Sequence, residues 1–90
     1  KDGLTVFFLG RAYRMAGAPA ASVSPYLDAI KFSGEKIPDA FYELALSYVE
    51  LKRTAEARAV LEALMARFQS AAPAAARQLL AQLGPAPRKR

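Results

Sequence analysis

Glu43 and Glu50 stand seven positions apart in a stretch that reads as helix, so two turns bring both carboxylates to one face. Paired acids are the raw material of general acid–base chemistry or of a divalent-cation site. The partners such chemistry needs are missing. The 90 residues contain no His and no Cys, which removes the commonest general base, the thiolate nucleophile and the usual zinc ligands. The sequence has no Gly-rich phosphate loop, and its acids do not cluster. Glu43 and Glu50 are therefore read as a solvent-facing pair, and no enzyme, cofactor or metal site is expected.

The cations offer two other kinds of chemistry. Arg11 and Arg14, one turn apart, and Arg77 could meet an acidic ligand through charge-assisted hydrogen bonds, or simply remain solvated. Thirteen bases against eight acids give +5, unevenly spread. Residues 51–90 hold eight bases and two acids, whereas residues 1–50 hold five and six. Lys52, Arg53, Arg58, Arg67 and Arg77, with Arg88, Lys89 and Arg90, could contact phosphates on nucleic acid or an anionic surface. No recognition-helix motif or interleaved stacking aromatic accompanies them, so a solubilising tail is the better reading and nucleic acid the alternative.

The elements that must position these groups are helices. Twenty alanines and eleven leucines favour helix, and no stretch alternates as a half-buried strand would. Punctuation divides the chain into five segments, about 4–16, 20–33, 39–51, 54–68 and 74–83. Gly17 suits the left-handed residue that closes a helix, Pro38 and Pro73 open helices, and Gly34 and Gly84 end them. Pro25 leaves two options for the second segment: a helix that begins near Pro19 and kinks at Pro25, or a shorter one capped by Ser24 with Pro25 at its first position. Helical spacing puts Phe41, Leu44, Ala45, Tyr48 and Leu51 on one buried stripe. Ala57, Val60, Leu61, Leu64, Met65 and Phe68 form another, leaving Arg58, Glu62 and Arg67 to water. In the last helix Leu79, Leu80 and Leu83 face inward while Arg77, Gln78 and Gln82 stay wet. Short loops make neighbouring helices antiparallel hairpins.

A shift of 35 residues superimposes Val6 on Phe41, Leu9 on Leu44, Gly10 on Ala45 and Tyr13 on Tyr48. It also brings Ser22 onto Ala57, Tyr26 onto Leu61, Ile30 onto Met65 and Pro38 onto Pro73. Gly10 inside a helix costs about 1 kcal/mol relative to Ala, which asks for a closely approaching neighbour. These residues resemble the tetratricopeptide repeat: Val6, Leu9, Gly10 and Tyr13, then Phe41, Leu44, Ala45 and Tyr48, match its first helix. Ala57 with Leu61, and more loosely Ser22 with Tyr26, match its second. The chain departs from the pattern where no Trp opens either repeat, where Leu64 takes a usually small position, and where the closing proline falls a few residues late.

The resemblance implies an all-α fold of five helices, with hairpins stacked as a short superhelix over residues 1–84. Its parts are repeats of about 3–37 and 38–72, a capping helix of about 73–84, and a basic disordered tail, 85–90. Leu9, Gly10, Tyr13, Leu44, Ala45, Tyr48, Ala57 and Leu61 pack the repeats together. It further implies a concave groove, where Phe7, Arg11, Arg14, Tyr42, Leu46 and Val49 fall off the core stripe. They read either as a partner-binding face or as a broad core face. The family's carboxylate clamp is incomplete here, since Phe7, Arg11 and Glu43 stand near its positions.

The expected function is a non-catalytic module that binds a peptide or helix of a protein partner. Self-association and a structural segment of a longer solenoid are further options. The compartment is open, cytoplasm by default, with a weaker similarity to longer repeats of bacterial envelope proteins. The start at Lys1-Asp2-Gly3 reads as a processed end or an excised fragment. No stretch approaches the roughly 20 apolar residues of a membrane span.

Overall fold

The computed structural model describes residues 3–32 and 38–83. Five α-helices follow one another: α1 (Gly3–Met15), α2 (Pro19–Phe32), α3 (Pro38–Glu50), α4 (Thr54–Phe68) and α5 (Ala74–Leu83), with a 3₁₀ turn at Gln69–Ala71. Every expected helix is present within a residue or so of its expected bounds. Lys1, Asp2, Gly34 and the tail with Gly84, Arg88, Lys89 and Arg90 lie outside the described residues. Pro25 lies inside α2, which starts at Pro19, so the longer of the two helices forms. No described helix is long and apolar enough to cross a membrane.

Helices pack as sequential pairs, α1 on α2, α2 on α3, α3 on α4 and α4 on α5, with a lighter contact from α1 to α3. The radius of gyration is 12.6 Å, near the ~12 Å of a folded domain this size. The core runs through Phe7, Tyr26, Phe41, Leu44, Leu61 and Leu64, closed at the far end by Ala72 and Ala76. Leu79, Leu80 and Leu83 of α5 are half-buried against it, and Arg77, Gln78 and Gln82 are exposed, as their spacing implies.

The 35-residue register is repeated in backbone hydrogen bonds. Ala18 N–H donates to the Tyr13 carbonyl at 2.9 Å, and Arg53 N–H donates to that of Tyr48 at 2.8 Å. Gly17 N–H bonds to Arg14 and Lys52 N–H to Val49, at 3.1 and 3.0 Å. Both hairpins thus close α1 and α3 with the same left-handed cap, which satisfies carbonyls that have no partner within the helix. The left-handed residue is Gly17 (φ 86°) in the first and Lys52 (φ 64°) in the second. At Lys52 the side chain strains a conformation that glycine adopts freely.

Close approach is confirmed at Gly10: a Cβ there would lie 2.9 Å from the Tyr26 ring. It also resets α1. The buried arc of α1 runs through Gly3, Phe7 and Gly10, and at Gly10 the missing side chain lets the Tyr26 ring of α2 lie against that side. Val6 is half-buried against the core, whereas Leu9 and Tyr13, expected to pack the repeats together, are 46% and 41% exposed. Phe7, expected off the core stripe, is 4% exposed, its ring centroid 5.9 Å from that of Tyr26. The expectation for Arg58 also fails. It is buried, and its Nη2 donates to the Leu83 carbonyl at 2.9 Å, so its charge lies at the negative end of the α5 dipole and ties α5 to α4.

Lys52→Gly should raise stability by about 1 kcal/mol, read as a higher thermal midpoint by circular dichroism. An unchanged midpoint would show that the lysine cap is unstrained. Gly10→Ala should lower the midpoint, because the Tyr26 ring must move aside.

Candidate functional site

The sequence-predicted surface spans α1 and α3, and one buried carboxylate holds these helices together. Glu43 falls on α3 between Ala40 and Ser47, on the side that α1 and α2 cover, and is 7% exposed. The expectation of a solvent-facing pair with Glu50 is therefore corrected for Glu43: helical spacing says which residues share a face, but only packing says what lies against that face.

Arg11 binds Glu43 through two nitrogens, Nε to Oε1 at 3.1 Å and Nη2 to Oε2. The Tyr26 hydroxyl donates to Oε1 at 2.8 Å, and Arg14 Nη2 reaches the same oxygen at 3.5 Å. Arg14 Nε donates to the Tyr26 hydroxyl at 3.3 Å, and Arg14 Nη1 stands 3.9 Å from Glu50. Burial alone would raise the Glu43 pKa. The bonds from Arg11 and Tyr26 and the charges of Arg11 and Arg14 outweigh it and hold the carboxyl below the ordinary glutamate range. Burial pushes the Tyr26 phenol up to about 12, with the Arg14 bond pulling the other way.

A carboxylate with both oxygens engaged and its basicity lowered is a poor proton acceptor. The cluster suits a structural lock: α1 supplies two guanidiniums, α2 the phenol and α3 the acid. Beside it, Ser22 Oγ donates to the Pro19 carbonyl at 2.6 Å, so the 2.6 Å contact with Ser47 has Ser47 as donor.

The six candidate groove residues fare differently. Phe7 is core, and the Arg11 guanidinium sits 4.7 Å over its ring. Arg11 and Arg14 are part-exposed, at 37% and 19% of their side chains, but both are engaged by Glu43. Tyr42, Leu46 and Val49 are half-buried on α3, with Tyr42 and Val49 packed on the core edge. Two hollows lie elsewhere among the described residues. One of about 540 Å³ is lined by Ala20, Val23, Ser24, Leu27, Asp28, Leu51 and Arg53. The other, about 270 Å³ and mainly apolar, lies between α2 and α4 over Phe41 and Leu44.

Three of the described bases of the second half are engaged within the fold. Arg58 is buried, Arg53 pairs with Glu56 at 3.2 Å, and Arg77 donates to the Gln69 carbonyl at 2.9 Å. No family model, curated protein or solved structure matches the chain.

Glu43→Gln replaces a buried charge by an amide whose own donors would face two guanidiniums, and should cost about 3 to 5 kcal/mol. The native lock also sets the pH limits. Glu43 has a lowered folded pKa, so its contribution is complete above the ordinary glutamate range and is lost as pH falls through the lowered value. Tyr26 has a raised one, so its contribution is complete below about 10 and fades as pH rises towards about 12. Chemical unfolding across pH should show both limbs, with the acid limb flattened in Glu43→Gln.

Proposed function

We propose that this chain is a non-catalytic protein-interaction module of the tetratricopeptide type, two stacked hairpins and a closing helix, that holds a segment of a partner protein along α1 and α3. The observation that carries the proposal is the structural repeat. The turns after α1 and α3 share their hydrogen bonds position for position, and Gly10 and Ala45, Ser22 and Ala57, and Tyr26 and Leu61 are buried alike at matching positions. Repeats of this kind build an extended surface by stacking, and their function is recognition.

The contact chemistry follows from what remains accessible. Tyr42, Leu46 and Val49 offer a half-buried apolar strip on α3, and the part-exposed Arg11 and Arg14 border it on α1. A partner with an apolar anchor and a flanking acid fits this combination. The engagement of Arg53 by Glu56, of Arg58 by the end of α5 and of Arg77 by Gln69 favours this reading over phosphate binding by these three bases.

Tyr42 and Leu46 are the best probes, because replacing Arg11 would also disturb the Glu43 lock. Selection of a displayed peptide library on the wild-type chain should return ligands that Tyr42→Ala and Leu46→Ala bind at least about tenfold more weakly, equivalent to about 1.4 kcal/mol. Each variant should unfold within about 1 kcal/mol of the parent. Ligands indifferent to both substitutions, or lost steeply with added salt, would move the site away from this strip.

A further inference from the structure

The 35-residue register pairs positions on α3 with positions on α1, and their burial differs sharply. Ala40, Glu43, Leu44, Ser47 and Tyr48 are all buried, whereas their counterparts Thr5, Phe8, Leu9, Ala12 and Tyr13 are all exposed. The cause is position in the stack, since α3 has α2 on one flank and α4 on the other, while α1 packs chiefly on α2. At about 100° per residue, Leu4, Phe8 and Ala12 run along one row of α1, and Leu9 and Tyr13 along the next. Such rows, spaced by four, are the ridges that pack into the grooves of another helix.

This arc carries no charged residue. Arg11 stands at its edge, the guanidinium 5.5 Å from the Phe8 ring centroid, with its charge paired to Glu43, and Arg14 lies further round the helix, also against Glu43. Leu4, Phe8, Leu9, Tyr13 and Met15 are between 41% and 75% exposed. At roughly 100 Å² apiece they present on the order of 500 Å² of apolar surface, near the top of what a monomer usually leaves in water. With the adjoining Thr5, Ala12 and Ala16 the face stays below the ~800 Å² per partner of a standard interface, in the range of weak, reversible association.

We propose that this face of α1 docks a second copy of the chain, α1 against α1 across a two-fold axis. An uncharged apolar face is its own complement, because the two-fold sets no like charge opposite another. Ala12, small and flanked by Phe8 and Leu9, is the low point at which two helices can approach. The surface is separate from the strip on α3, so this proposal is independent of the function proposed above.

Sedimentation velocity from about 1 μM to about 1 mM should show a monomer–dimer equilibrium with a Kd of about 1–100 μM. Phe8→Ser and Leu9→Ser should each weaken it at least about tenfold while the helical circular dichroism is kept. Leu27→Ser, at a site equally exposed on α2, should leave it unchanged. The chain has no cysteine, so Ala12→Cys reports on the axis: mild oxidation should give a disulfide-linked dimer from Ala12→Cys and none from Leu27→Cys. A monomer at every concentration, a dimer indifferent to Phe8→Ser and Leu9→Ser, or cross-linking only through Leu27→Cys would overturn the proposal.

Discussion

A carboxylate withdrawn from water is the constraint on which the arrangement of the first three helices depends. Desolvating Glu43 costs several kcal/mol, and only well-placed donors can offset it. They come from three side chains on two other helices: Arg11 and Arg14 on α1 and Tyr26 on α2. If α1 slides or rotates on α3, the carboxylate loses a donor without gaining water. The lock therefore specifies a register that apolar contact alone would fix less sharply. Tyr26 links it to the core, since the ring that lies against Gly10 carries the hydroxyl that meets Glu43.

The far end of the molecule is held differently. Beyond α3 the contacts are apolar, Leu61 and Leu64 fully buried and the Phe41 and Phe68 rings edge to face with centroids 5.4 Å apart. Polar ties here include Arg77 to the Gln69 carbonyl and Arg58 to the end of α5. The Arg58 Nε has no partner among the described residues, a cost that the burial of its long stem partly offsets. Directional bonds thus set the packing at one end of the molecule and the fit of apolar side chains sets it at the other.

Repetition explains where the molecule is satisfied and where it is open. Each hairpin has apolar rows on both sides of its first helix, a pattern that makes sense when helices stack on either flank. α3 has α2 and α4 on its two flanks, and its rows are buried; α1 packs chiefly on α2 with a lighter contact to α3, and Phe8, Leu9 and Tyr13 meet solvent. The same local sequence logic therefore yields core in one repeat and surface in the other.

Helices, their ends and the repeat were legible in the sequence because they depend on residues within a few positions of one another. Gly17, Pro19, Pro38 and Pro73 act through their own backbone geometry, and the α3 and α4 stripes follow from 3.6-residue spacing. Gly10 could be read as a point of contact because a glycine there has a local cost. The arc of α1 that faces α2 was not legible: spacing leaves Phe7 open between a binding face and a broad core face, where packing makes it core, and it puts Leu9 and Tyr13 in the packing stripe, where they are exposed. Nor was the environment of Glu43 and Arg58, whose partners lie 17 to 32 residues away along the chain. The sequence alone determined which elements form and which residues share a face. Tertiary packing decided which face is dry, because burial and ion pairing are properties of the helix that lies opposite.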